Sequence, residues 1–205
     1  MKQLTNAEIA AKVKKAMKDE ASAISYLADY IQQDQIAEIV NLLAAHKGHV
    51  FTSACGTSGV TARKIAHTFS CLEVPTTFIA PSDAVHGALG KVRQGDIMIF
   101  ISKGAKSSEL VPMMDACEAK GVTVIITTEN PEGELAKRSD YIMPMNINYE
   151  ADPFQMLATS STLAAMSVWD AVAITLVEMT EYSKERFKII HTGGAVGQRL
   201  LHGEK

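Results

Sequence analysis

Two short stretches of this 205-residue sequence place glycines and hydroxyl side chains directly before a predicted helix. The first, Gly56-Thr57-Ser58-Gly59, follows the apolar, β-favouring residues Val50 and Phe51. The second runs from Ser102 to Glu109 and combines serines, a Gly-Ala turn and two lysines. Glycines let the backbone approach a ligand closely, and the N–H groups of a helix's first turn attract anions. Both stretches therefore predict a cradle for a phosphate group.

Each stretch has a plainer explanation when it is considered alone. The first is also typical of an ordinary strand-to-helix turn, and Ser107 in the second also fits a helix N-cap. Two such stretches after neighbouring strands favour a phosphate-bearing ligand. The residues predicted to bind its phosphate are Gly56, Thr57, Ser58, Ser102, Lys103 and Ser107. The sequence has neither a G-x-G-x-x-G fingerprint nor a Walker lysine pattern, which argues against a dinucleotide or ATP, and we expect no cofactor.

The composition predicts a single globular domain that positions these stretches. Apolar residues make up 47% of the chain and charged residues 21%, which argues against disorder. The formal net charge of −3 provides no basic field for nucleic acid or an anionic membrane. Three dispersed cysteines without a C-x-x-C pair indicate neither a zinc site nor a disulfide framework. With no signal-peptide core at the N-terminus, we expect a cytoplasmic protein with reduced thiols.

Short apolar runs alternate with helical patterns along the middle of the chain. Strands are predicted from Val50, at Thr76–Ala80, at Ile97–Ser102, at Val122–Thr127 and at Tyr141–Met145. Two of the intervening helices are predicted at Ser108–Lys120, closed by Gly121, and at Pro131–Arg138, with Asn130 as N-cap. This alternation predicts an α/β fold, a doubly wound, five-stranded parallel sheet sandwiched by helices. Ligands of such sheets bind beyond the carboxyl ends of the strands, where both Gly/Ser stretches fall.

A helical hairpin is predicted over residues 1–47, before the α/β sandwich of residues 48–182. A capping box at Thr5-Asn6-Ala7-Glu8 opens an unusually long amphipathic helix, which ends near Gln33. A second helix runs from Asp34 to a stop at Gly48. The length of the first helix favours packing against a neighbouring subunit, so we expect the hairpin to mediate oligomerisation.

The C-terminal part of the chain contains one long apolar helix and a Gly-rich tail. The run from Leu163 to Met179 is interrupted by Asp170 and Glu178, which indicates a buried helix and not a membrane span. The hydroxyl residues of 159–162 just before it fit helix capping better than ligand binding. The tail of residues 183–205 places His191 next to a flexible Gly-rich turn, which alone is a weak functional signal.

Taken together and in order, these motifs resemble the sugar isomerase (SIS) domain family, and within it the arabinose-5-phosphate isomerase branch. The resemblance spans about residues 43–201 and rests on Gly56–Gly59 with Arg63-Lys64, His86–Gly90, Ser102–Glu109, Glu150 with Pro153, Thr159–Thr162, and His191–Gly197 with Arg199-Leu200. It implies a sugar ligand with one phosphate. It also implies a homodimer or homotetramer whose active sites are shared between subunits.

The sequence departs from that branch at several positions. Thr57 stands where the branch usually has lysine, and Ala54–Ser58 looks more like the isomerase half of glutamine-dependent glucosamine-6-phosphate synthases. Gly104 and Lys106 replace a hydroxyl and a carboxylate of the branch's Ser-Asn-Ser-Gly-Glu-Ser motif, and Thr192 replaces a proline. We expect no CBS regulatory modules after Lys205. These departures affect the expected sugar more than the expected fold.

The resemblance implies an aldose–ketose isomerase that acts through an enediol. Such a reaction needs a group that opens the sugar ring, a base that carries a proton between C1 and C2, and donors for the enediolate oxygen. Glu150 is the first choice for the base and Glu109 the second, although Glu109 also fits a first-turn helix carboxylate. His191 suits ring opening, and His86 suits polarising a hydroxyl or carbonyl. Thr159 and Ser160 are the other expected substrate contacts, and no metal is expected.

Two alternative functions remain open at this stage. SIS domains also serve as sugar-phosphate sensors in transcription regulators, so the chain could bind such a ligand without converting it. The acid/base set and the lack of a helix-turn-helix segment or basic face argue against a sensor. The second alternative is an amino-sugar enzyme, which would need a glutaminase domain to deliver ammonia.

Overall fold

Five parallel strands form the centre of the molecule, and helices cover both faces of the sheet. The computed structural model describes residues 3–202. The strands are β1 (Val50–Ser53), β2 (Thr76–Phe78), β3 (Ile97–Ile101), β4 (Thr123–Thr128) and β5 (Tyr141–Pro144). The helices are α1 (Asn6–Tyr30), α2 (Gln33–Ala45), α3 (Gly56–Ser70), α4 (Pro81–Ala84), α5 (Val111–Lys120), α6 (Glu134–Lys137), α7 (Ser160–Met179), α8 (Lys184–Ile190) and α9 (Gly194–His202). The predicted α/β class, the five strands and the leading hairpin are confirmed.

The strand order β2-β1-β3-β4-β5 explains where a ligand can bind. The chain leaves β1 through α3 towards one edge of the sheet, and later leaves β3 through α5 towards the other edge. The order therefore reverses between β1 and β3, which pair directly in parallel. Loops that leave two such strands in opposite directions open a crevice between them at their carboxyl ends. Both Gly/Ser stretches lie at this crevice.

The alternation of side chains along β3 shows why the sheet is buried on both faces. Ile97, Ile99 and Ile101 pack in one apolar cluster with residues of α1, α2, α3 and α7. Met98 and Phe100 point to the other face and join a second cluster with residues of α5 and α6. Because successive strand residues face opposite sides, a parallel strand covered on both faces reads as a continuous apolar run.

Helix α7 is the central helix of the first layer. Trp169 is 1% exposed, packs edge-to-face on Phe69 of α3 and donates from its indole Nε1 to Thr127 Oγ1 of β4 at 2.9 Å. Within residues 3–202, α7 alone is long and apolar enough to cross a membrane, but half of it is buried inside the protein. Its packing on the sheet agrees with its interpretation as a core helix.

The N-terminal helix is bound to the domain only through its C-terminal part. Thr5 and Glu8 form the predicted capping box, with Thr5 N donating to Glu8 Oε2 at 2.8 Å and Glu8 N to Thr5 Oγ1 at 3.3 Å. Ala23 and Leu27 are its buried residues. Ile9, Val13 and Met17 are spaced one turn apart and are exposed. The first four turns of α1 thus present an apolar stripe that nothing within residues 3–202 covers.

Several element boundaries differ from the sequence prediction. The helix expected from Ser108 begins as a 3₁₀ turn and becomes α5 only at Val111, with Pro112 in its first turn. The helix expected from Pro131 begins at Glu134, so the prediction of Asn130 as its N-cap is wrong. The Asn130 side chain instead accepts from Glu132 N at 3.2 Å and closes a turn.

The tail of residues 183–205, for which the sequence predicts a Gly-rich turn after His191 and no helix, contains two short helices. α8 and α9 occupy residues 184–190 and 194–202, and the last three residues of the predicted tail lie outside the described residues. Ser183 caps α8, because its hydroxyl accepts from Arg186 N at 3.2 Å. Seven and nine residues are too few for a clear helical pattern in the sequence.

Candidate active site

A cavity of about 330 Å³ lies where the loops after β1 and β3 face each other. It is lined by Cys55, Ser58, Ile101, Ser102, Lys103, Gly104, Lys106 and Ser107. Four residues predicted to bind phosphate, Ser58, Ser102, Lys103 and Ser107, therefore meet in one place. We call this cavity the serine cradle. It combines hydroxyl donors, two ammonium groups and the N-terminal end of α3.

Backbone geometry around α3 explains the glycines of the first loop. Gly56 is the first residue of α3 and has a φ of +55°, a value that favours glycine. A Cβ atom on Gly59 would lie 2.9 Å from the carbonyl oxygen of Ala54, so only glycine lets α3 begin this close to the end of β1. Thr57 is exposed and does not line this cavity.

The second loop is held rigidly by the residues that follow β4. Ala105 has a φ of +50° and is completely buried, and its N–H donates to Ser102 O at 3.0 Å. Its carbonyl accepts from Leu135 N at 3.1 Å. Gly133 packs so closely that a Cβ there would lie 2.5 Å from Ala105 Cβ. The loop is thus fixed before any ligand arrives.

Ser102 and Ser107 form a hydroxyl pair across this loop. Their Oγ atoms lie 2.9 Å apart, and Ser102 is only 4% exposed. Ser107 precedes the 3₁₀ turn, but its side chain makes no capping hydrogen bond. The plain interpretation of Ser107 as a helix cap is therefore wrong, and its hydroxyl faces the cradle.

Glu150 is a buried carboxylate that caps the central helix. Its Oε2 accepts from Thr159 N at 3.1 Å and from Ser161 N at 3.2 Å, at the start of α7. Its Oε1 accepts from Lys103 Nζ at 2.8 Å, and the residue is 4% exposed. Burial raises its pKa, but the hydrogen bonds from Lys103, Ser161 and Thr159 outweigh that effect and hold the pKa below its usual value. Glu150 is therefore ionised at neutral pH.

The hydroxyls expected to cap α7 do not do so. Thr159 Oγ1 accepts from Ala151 N at 3.4 Å, and Thr162 Oγ1 donates to Ala158 O at 3.0 Å. Ser160 is completely buried, and its hydroxyl has no hydrogen-bond partner among the described residues. The prediction that capping hydroxyls begin this helix is wrong, because the Glu150 carboxylate provides the cap.

A larger cleft of about 490 Å³ adjoins the cradle at Cys55. Its walls include Gly56, Arg63, Phe78, Val85 and Glu109, and the Arg63 guanidinium stacks 3.9 Å from the centre of the Phe78 ring. The pKa of the Cys55 thiol is raised by burial and by the nearby Glu109 carboxylate. His86 is exposed and follows Val85 on the rim.

Sequence reasoning missed Phe78 and Cys55 as walls of this cleft. Their signal was only their position, since Cys55 follows the carboxyl end of β1, beside the switch point, and Phe78 ends β2, the strand next to β1.

His191 lies far from Glu150 within one chain. It stacks on Phe187 of α8, with ring centres 3.7 Å apart, and its Nδ1 lies 3.2 Å from Phe187 O. Phe187 lines a groove with Val177, near the C-terminal end of α7. The α7 residues of this groove run from Asp170 to Val177, which at 1.5 Å per residue lie about 15 and 25 Å along α7 from the helix start that Glu150 caps. The structure thus brings Glu150 and the cradle together and leaves His191 apart.

Potential metal ligands are dispersed over the part of the chain that the structure describes. No group of three or more His, Cys, Asp or Glu side chains within residues 3–202 could hold a metal ion.

Comparisons with known proteins agree on one family. Residues 42–175 match the SIS domain family model. The chain is 31% identical over 92% of its length to arabinose 5-phosphate isomerase KpsF of Escherichia coli O6:H1, and 34% identical over 82% to arabinose 5-phosphate isomerase KdsD of Pseudomonas aeruginosa. It covers 58% and 52% of those two proteins, so it spans little more than half of the curated relatives it matches.

Solved structures show the same relationship. A Listeria monocytogenes protein, provisionally assigned as a sugar-phosphate isomerase, superposes with a TM-score of 0.91 at 41% identity, over 93% of this chain and 100% of that one. An Escherichia coli CFT073 protein in complex with arabinose 5-phosphate superposes with a TM-score of 0.88 at 28% identity, over 92% of this chain and 100% of that one. The chain therefore belongs to the SIS domain family.

Proposed function

We propose that this chain is a phosphosugar isomerase that interconverts an aldose phosphate and a ketose phosphate, of the arabinose 5-phosphate/ribulose 5-phosphate type, through an enediol. The observation that carries the proposal is the position of the buried, ionised Glu150 beside the serine cradle, joined to it by Lys103. The relatives named as arabinose 5-phosphate isomerases support the substrate class.

Each part of the site has a chemical task in this reaction. Ser58, Ser102 and Ser107 donate to the phosphate together with the N–H groups at the start of α3. Glu150 is the base that carries a proton between C1 and C2. A base must be unprotonated before the reaction begins, and Glu150 meets this condition at neutral pH. Glu109 lines the adjoining cleft and is the second candidate for this role.

We further propose that a second copy of the chain completes the site. Ring opening needs a group that exchanges protons near neutral pH, and His191 and His86 have the suitable side chain. In its own chain His191 stacks on Phe187, whose groove is lined by α7 residues about 15–25 Å along the helix from the start that Glu150 caps, so we place it in a neighbour's site. The apolar stripe of Ile9, Val13 and Met17 supports a homodimer or homotetramer, because stripes of this kind commonly mark interfaces. The proposal places the enzyme in the cytoplasm.

Proton exchange in deuterated water tests the activity directly. Incubation of arabinose 5-phosphate with the protein in D₂O should produce ribulose 5-phosphate and place deuterium at C2 of the aldose, as followed by NMR. Glu150→Gln should slow this exchange by ~100-fold or more, since a positioned base commonly contributes that much. Glu38→Gln, on an exposed position of α2, is the matched control and should leave the rate unchanged.

The same experiment separates the isomerase from a sensor. Pentose and hexose phosphates are supplied in turn, and calorimetry measures their binding in parallel. Tight binding of one sugar phosphate without any exchange or turnover would contradict the isomerase proposal and favour a sugar-phosphate sensor.

A further inference from the structure

Lys103 takes part in two sites at once. Its side chain lines the serine cradle, and its Nζ lies 2.8 Å from Glu150 Oε1 and 4.0 Å from Glu129 Oε2. The lysine side chain is 36% exposed, whereas the Glu150 side chain is 3% exposed. One ammonium group therefore stands between the predicted phosphate position and the predicted base.

The backbone of Lys103 is fixed while its side chain can move. Its carbonyl oxygen accepts from Glu129 N at 3.1 Å and from Thr128 Oγ1 at 2.8 Å. A long, partly exposed side chain on a fixed backbone can turn between two acceptors without moving the loop. A phosphate in the cradle is a dianion with three acceptor oxygens, and it competes with a single carboxylate oxygen for the ammonium group.

We propose that Lys103 is a substrate-operated latch, which pairs with Glu150 in the free protein and turns to the phosphate when the cradle is filled. This inference rests on the proposed function and adds a control to the same site. In the free protein the base is held by an ion pair. When the phosphate draws Lys103 away, the carboxylate loses its counter-ion at the moment when a sugar is present to give up a proton.

The other groups around Glu150 strengthen the effect. Glu129 faces it from the loop after β4 and is also a carboxylate, and its own pKa is raised by burial and by Glu150. The N–H groups of Thr159 and Ser161 approach from α7 and remain in place. Among the described residues, Lys103 is the cation paired with Glu150. Its departure leaves a buried carboxylate beside another carboxylate, which raises the proton affinity of Glu150 and makes it a stronger base.

Titration of Glu150 in the presence of an anion tests the latch without turnover. The probe is sulfate, which stays doubly charged throughout the titration. NMR of protein labelled with ¹³C at glutamate carboxyls follows Glu150, and its signal is assigned with Glu150→Gln. Saturating sulfate should raise the pKa of Glu150 in the wild type. In Lys103→Met the pKa should be raised already without sulfate, and sulfate should add a smaller rise than in the wild type.

Two further variants separate the latch from a general loss of charge. Lys106→Met removes the other ammonium group of the cradle. Within residues 3–202, Lys106 forms no ion pair with Glu150. The Lys106→Met variant should bind sulfate more weakly, but saturating sulfate should raise the pKa of Glu150 as much as in the wild type. Lys103→Arg keeps the positive charge and should retain a sulfate response, which ties the response to the charge at this position.

Three outcomes would overturn the latch. They are a Glu150 pKa that saturating sulfate leaves unchanged, an equal sulfate-dependent rise in the wild type and Lys103→Met, and no sulfate binding at all. A protein that shows the Lys103-dependent rise but isomerises no sugar phosphate would contradict the proposed function and keep the latch. An active isomerase in which sulfate raises the Glu150 pKa equally in the wild type and in Lys103→Met would support the proposed function and overturn the latch.

Discussion

The hydroxyl groups of Ser102 and Ser107 lie 2.9 Å apart at the two ends of the loop that follows β3. The loop between them turns sharply through buried Ala105, and residues 129–135 hold it from behind through Ala105 O and Lys103 O. Neither hydroxyl caps a helix. The pair is thus already arranged for a ligand, which reduces the entropy lost when a phosphate binds.

Replacement of either serine should weaken sugar-phosphate binding more than folding. Ser107→Ala and Ser102→Ala each remove a donor to a charged phosphate, worth about 1.5–3 kcal/mol, so the Kd should rise roughly 10- to 150-fold. Unfolding free energy should fall by only about 1 kcal/mol. Calorimetry and urea denaturation measure the two effects. Ser108→Ala is the matched control, because Ser108 is exposed and donates to Glu109. Unchanged affinity in both cradle variants would remove these serines from the binding site.

Replacement by alanine should have very different effects at two glycines, Gly104 in this loop and Gly133 packed against it. A Cβ on Gly133 would lie 2.5 Å from Ala105 Cβ and 2.8 Å from Gly104 O, so Gly133→Ala must displace the loop. Overpacking of this kind costs about 1–3 kcal/mol, and the displaced cradle should also bind sugar phosphate more weakly. Gly104→Ala meets no atom within 4 Å and should change stability by less than about 0.5 kcal/mol. Equal unfolding midpoints for the two variants would contradict this account.

The parts of the fold that the sequence predicted are those with a local cause. The run Ile97–Ile101 is apolar on both faces because helices cover both sides of the sheet. The capping box at Thr5 and Glu8 is contained within four residues. The start of the helix after β4 could not be predicted in this way. Its position follows from the contact of Gly133 with Ala105, a residue nearly thirty positions earlier in the chain.

The sequence predicted which loops form the site, but not which of their residues contact each other. The Gly/Ser pattern and the rule for parallel sheets located Ser58, Ser102, Lys103 and Ser107, and the structure brings them into one cavity. No local pattern shows that Lys103 pairs with Glu150, because the two residues follow different strands. The same holds for the cap of α7, where a distant carboxylate replaces the expected hydroxyls.

Glu150 should make the stability of the protein depend on pH. Its pKa is lower in the folded chain than in the unfolded one, so folding favours the ionised form. Its contribution is fully present above the unfolded-state pKa of about 4.3 and is lost as the pH falls through the folded-state pKa. The wild type should therefore exceed Glu150→Gln in unfolding free energy at neutral pH, and the difference should shrink below about pH 4.3.

Urea denaturation across this pH range measures that difference. Glu38→Gln, at an exposed position, should differ from the wild type by a small amount that does not change with pH. The contrary result is a difference in unfolding free energy between the wild type and Glu150→Gln that stays constant down to acid pH. That result would show that the contacts with Lys103 and α7 do not stabilise the Glu150 carboxylate.

Glu150 and His191 should complement each other between chains, because one chain holds them far apart along α7. Glu150→Gln and His191→Ala should each lose most isomerase activity, by ~100-fold to ~10,000-fold, and still fold. In a two-fold dimer with shared sites, a mixed pair has one site with both changes and one with neither. Random subunit exchange should then restore about one quarter of the wild-type activity. The double variant mixed with wild type should give no activity beyond that of the remaining wild-type pairs, and His67→Ala should be active alone. Proven exchange without recovery would place His191 outside the shared site.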